Sequence, residues 1–171
     1  GESRPETLAF PARPLGTAPP AAAVRAMKHI ALKARAGEKQ LAIVTGARGE
    51  GRTHFLEFIA RRLTGEWGFK HGAIAGDLAL IQDTPEKEPG EPCDFALLDD
   101  RGDEPLLSCY VMDYVCQAIE RCNLVVIATD ASAPRLAEEI RGEFSKREIA
   151  VKEISLPAPG MVEKRRILSR A

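Results

Sequence analysis

Residues 46 to 53 read Gly46-Ala47-Arg48-Gly49-Glu50-Gly51-Arg52-Thr53, and their types and spacing suit the holding of phosphates. They fit the pattern G-x-x-x-x-G-K-[ST] at every fixed position except one, where Arg52 replaces lysine. Glycines at these positions let backbone N–H groups turn inward around an anion, and a helix that starts here points its positive end at it. The Thr53 hydroxyl then faces a magnesium ion on the phosphates. Arg52 keeps the cation but is planar and bulkier than lysine, so the exchange is not neutral. The candidate nucleotide-contacting set is Gly46, Gly49, Glu50, Gly51, Arg52, Thr53 and His54.

A second group of residues belongs to the same chemistry. Asp99 and Asp100 close the apolar run Phe95-Ala96-Leu97-Leu98 about 45 residues after the loop. The first carboxylate can hold magnesium through water and the second can orient an attacking water. Thr129 and Asp130 close another apolar run and suit a sensor beside a γ-phosphate, although Asp130 also suits a helix cap. The catalytic candidates are therefore Asp99, Asp100 and Asp130, and the metal candidates Thr53 and Asp99.

These residues need a scaffold that brings strand ends together. The apolar runs at 41–45, 95–98 and 124–128, with the stretches 71–75 and 150–156, read as strands, that at 71–75 a weak one. Helical patterns fall at 21–36, 53–63, 106–121, 133–141 and 161–170. In the first, Val24, Met27, Ile30 and Leu32 are expected on one apolar face, with Gly37 as the stop; the next stops near Gly65. Strands alternating with helices predict an α/β fold with a parallel sheet covered on both faces. Residues 1–20 are a Pro- and Ala-rich extended lead-in, 21–158 the core, and 159–171 the start of a lid helix or a tail. The stretch 83–93, charged and rich in proline, reads as a flexible loop.

Composition narrows the partners. Lys and Arg number 24 against 25 for Asp and Glu, so no basic excess speaks for direct DNA binding, and the cluster Lys164, Arg165, Arg166 and Arg170 reads as a solvated face. No apolar run is long enough to span a membrane. Cys93, Cys109, Cys116 and Cys122 lack zinc-site spacing, and Cys109 and Cys116 suit buried thiols on one helix face. A cytoplasmic location is the expectation.

With these motifs in place, the chain resembles the AAA+ P-loop ATPases, in particular the DnaA-type replication initiators and their Hda-like regulatory relatives. The resemblance rests on GARGEGRTHF (46–55), LLDD (97–100), VVIATDASAP (125–134) and ISLPAPGMVEKRRILSRA (154–171), and it covers roughly residues 20–171. It implies a P-loop three-layer sandwich on a five-stranded parallel sheet, with ADP or ATP and magnesium as ligands and with replication control as the setting. Where that family carries an arginine finger just before a phenylalanine, this chain has Glu143 before Phe144; Arg141 and Arg147 are the nearby cations. The resemblance stops at the first lid helix, so the expectation is either a fragment of a longer protein or a stripped-down relative with no lid domain and no DNA-reading module. A weaker resemblance lies with enhancer-binding transcription activators, laid over Asp99 to Leu106, without their sigma-contacting loop.

Three functions follow as expectations. The first is a degenerate regulatory module that binds ADP or ATP weakly or not at all, hydrolyses poorly, and acts through a protein partner or a homo-oligomer. The second is an inactive P-loop scaffold of a larger secretion, transcription or signalling protein. The third is an ATPase that works only when assembled.

Overall fold

The computed structural model describes residues 18–46, 51–70, 72–75, 94–99, 108–130 and 134–157. Its elements in chain order are α1 (Ala21–Arg35), β1 (Gln40–Gly46), α2 (Gly51–Gly65), β2 (Gly72–Ala75), β3 (Phe95–Asp99), α3 (Ser108–Arg121), β4 (Leu124–Asp130), α4 (Pro134–Ser145) and β5 (Ala150–Ser155). The expected loop at 83–93, the tail at 159–171 and nearly all of the lead-in lie outside the described residues.

The fold is α/β with a parallel sheet between helices, compatible with a P-loop-like sandwich. The strands lie in the order β2-β3-β4-β1-β5, with parallel pairing throughout. β1 sits between β4 and β5, with Gln40 opposite both Leu124 and Ala150. Such a strand is covered on both faces, which is why Leu41 to Val44 form an unbroken apolar run instead of an alternating one. The pleat still sorts them. Ala42 and Val44 join one core with Met27 and Ile30 of α1 and Phe55, Leu56 and Ile59 of α2. Leu41 and Ile43 join the other with Val111 and Val115 of α3 and Ile140 and Phe144 of α4.

Two local expectations are corrected. Leu32 is exposed, at 46%, while Ala23, Met27, Ile30, Ala31 and Ala34 make the buried face of α1. Two residues on from Ile30 is about 200° around a helix, so Leu32 falls on the outer side. Second, α4 runs to Ser145, past the expected end at 141, because Ile140 and Phe144 extend its buried stripe. α2 ends at Gly65, where its stop was expected, and the chain turns again at Gly68: Phe69 N–H reaches back to Leu63 O at 2.9 Å, and Gly68 has φ +84°, a left-handed conformation that favours glycine. At the end of α1 the expected stop at Gly37 takes the Schellman form, with Gly37 N–H bonded to Ala34 O and Glu38 N–H to Lys33 O.

The cysteines also differ from the expectation. Cys122 is disulfide-bonded to a residue whose side chain is not described, while Cys116 is a half-buried free thiol. A disulfide runs against the reducing compartment expected for this chain. No helix among the described residues is long and apolar enough to cross a membrane.

Candidate phosphate and magnesium site

The strand order fixes where a site can form. β1 and β4 are neighbours, yet the helices that follow them leave to opposite faces: α2 packs into the first core and α4 into the second. The carboxyl ends of these two strands are therefore a topological switch point, the position where open α/β sheets take ligands. The registers bring Gly46 opposite Asp130, Thr45 opposite Thr129, and Asp99 opposite Ala128 at this edge.

Helix α2 supplies the other half. It begins at Gly51, two residues earlier than expected, so Arg52 and Thr53 lie in its first turn, where backbone N–H groups have no partner within the helix. The Thr53 hydroxyl donates to Asp99 Oδ2 at 2.7 Å. Two residues 46 apart in sequence, one from the loop motif and one from the strand-end acid pair, thus meet as the reading of both motifs requires. Asp99 is 3% exposed and Thr129 1%. A carboxylate so deeply buried needs bonding partners to remain charged, and the hydroxyl is one of them.

Both groups are oxygen donors, the chemistry of a hard cation. Among the described residues no group of three or more His, Cys, Asp and Glu side chains is placed to hold a metal. Magnesium on Thr53 and Asp99 would thus draw its other ligands from phosphate and water, as it does at nucleotide sites.

Arg52 is only 5% exposed and lies against the strand end. A Cβ built on Gly46 would stand 3.2 Å from Arg52 Cγ and 3.5 Å from Leu156 Cβ. The bare α-carbon of Gly46 makes room for the arginine stem, a packing role beside the expected one of turning the loop. His54 is half-buried, with Nδ1 3.7 Å from Glu57 Oε2 one turn along the same helix. Gly49, Glu50 and Asp100 lie outside the described residues, and Asp130 is placed by its backbone alone.

The cations named as stand-ins for an arginine finger are engaged elsewhere. Arg141 pairs with Glu153 on β5. Arg147 donates to Glu143 at 3.1 Å and lies over the Phe144 ring at 5.1 Å. Sequence reading missed two features of this edge. Thr45 Oγ1 and Ser155 Oγ share a hydrogen bond at 3.3 Å, and Leu156 N–H continues the pairing of β5 by donating to Thr45 O at 2.8 Å. The alternation of small polar residues at strand ends was the available signal. Comparison with family models, curated proteins and solved structures finds no match to this chain.

Proposed function

We propose that this chain is a nucleotide-binding regulatory module of the AAA+ P-loop type, taking ADP or ATP with magnesium and acting through a protein partner or a second copy of itself. The contact between Thr53 and Asp99 carries the reading. It joins the metal-binding hydroxyl of the loop motif to the metal-binding acid of the strand motif, with a helix start and a topological switch point at the same edge. The sheet order, which reads 5-1-4-3-2 from the β5 side, supports the AAA+ assignment.

In this reading the first turn of α2 would cradle the phosphates, and Thr53 and Asp99 would hold magnesium, which would neutralise phosphate charge. Hydrolysis is weak, because Glu143 stands where a cation would stabilise the transition state. Replication control is the setting that the family resemblance favours.

The test is calorimetric titration of ADP and ATP, each with and without magnesium. Micromolar binding that needs magnesium, and that Asp99→Asn abolishes, is the expected result. A specific observation favours a second reading, an inactive scaffold: the Arg52 stem is packed against Gly46 and Leu156 at the strand end. Absence of binding at millimolar nucleotide would select it.

A further inference from the structure

The opposite edge of the sheet holds a cavity of about 370 Å³, lined by Arg35, Gly68, Phe69, Asp94, Arg121 and Asn123. Its walls are the last turn of α1, the turn after α2, the last turn of α3 and the residues just before β3 and β4. We propose that this cavity is a second binding site, for a small organic oxyanion bearing a carboxylate or phosphate, independent of the nucleotide reading.

Three observations carry it. Arg35 is held in place: its Nη1 donates to Trp67 O at 3.3 Å, and its guanidinium lies over Gly68, where an added Cβ would fall 2.4 Å from Nη1. The left-handed glycine is thus the surface on which a planar cation rests, and a guanidinium has more N–H donors than one carbonyl uses. Second, the described lining brings the guanidinium groups of Arg35 and Arg121 to one cavity with the carboxylate of Asp94. That carboxylate, Asp94, turns Oδ2 to the Lys70 N–H at 2.6 Å. Third, the helix ends that face this edge, which would repel an anion, are already answered. Lys39 Nζ donates to Ile119 O and, at 3.4 Å, to Cys122 O, while Asn123 Nδ2 donates to Ala34 O at 3.3 Å. Phe69, buried and edge-on to Phe95, offers an apolar wall to the organic part of a ligand.

The volume is at the small end of ligand cavities, which suits a molecule smaller than a nucleotide. The site stands at the amino ends of the strands, a strand length of roughly 20 Å from the candidate phosphate site.

The test is titration of inorganic phosphate into ¹⁵N-labelled full-length protein, read residue by residue, because phosphate also probes the α2 site. Saturable shifts at Gly68, Phe69 and Asn123 are expected. Arg35→Gln should weaken them at least about tenfold while shifts at Gly51 keep their midpoint. Arg121→Gln is the second variant, should the first fail to fold, and should act in the same direction. Shifts confined to the α2 end, no shifts at all, or an unchanged midpoint at Gly68 in a folded Arg35→Gln variant would each overturn the proposal.

Discussion

The two ends of the sheet are built from similar polar side chains put to different use. At the amino ends, Lys39 and Asn123 reach backbone carbonyls of helix termini, so they close α1 and α3 and fasten them to the strands. At the carboxyl ends, the Thr53 hydroxyl reaches the buried carboxylate of Asp99. A polar group that ends on a backbone carbonyl fastens a helix. A hydroxyl on a buried carboxylate offers, on the nucleotide reading proposed above, two oxygens to a cation. On that reading the contacts named here divide along the strand direction, those at the amino ends fastening helices and that at the carboxyl ends serving a ligand.

The hardest blow to that division comes from the amino end. Phe95→Ala, which empties a fully buried site next to Phe69, should cost about 3–5 kcal/mol, read as a shift in the urea midpoint. A loss below 1 kcal/mol would mean the amino end is not where the core is anchored. Thr53→Ala should cost only about 1 kcal/mol of stability, the net worth of one hydrogen bond. It should nevertheless weaken magnesium-dependent nucleotide binding by about tenfold or more, measured by calorimetry. The reverse pattern, a large stability loss with unchanged binding, breaks the comparison. Lys39→Met removes the cation from the α3 terminus and should cost about 0.5–1 kcal/mol with nucleotide affinity unchanged. The smallest effect lies in the turn at the amino end of β5. Glu148 holds φ 57° in the turn before β5, so Glu148→Gly should stabilise by some tenths of a kcal/mol in thermal melts.

Much of the scaffold was legible because its signals are local. The runs 41–45 and 124–128 are apolar throughout, which only strands covered on both faces require, and the helices around them carry a 3.6-residue stripe. The stop at Gly65 was legible, while the second turn at Gly68, after which Phe69 packs into the core, had no separate signal. The one misplaced core residue has a geometric cause. Leu32 looked like a core residue by type, but Ala31 and Ala34 occupy the buried angle.

At the candidate site, residue types were legible and their engagements were not. The meeting of Thr53 with Asp99 was implied by two motifs with a known relation. The Arg52 stem lies against Gly46, a neighbour in the same motif, beside Leu156, which is brought there by pairing over more than 100 positions. Likewise Arg141 and Arg147 looked available in sequence, and only the placement of β5 and the turn of α4 supplies Glu153 and Glu143 as their neighbours. The disulfide at Cys122 had no spacing signature at all.

The bond from Leu156 to Thr45 carries the chain past the end of β1, with the Leu156 side chain beside Gly46 and the Arg52 stem. The link is mechanical. Tension applied at Pro157 would load that one hydrogen bond first, before the ladder between β1 and β5 is peeled, and the strand end that carries Gly46 would feel it ahead of the rest of the sheet.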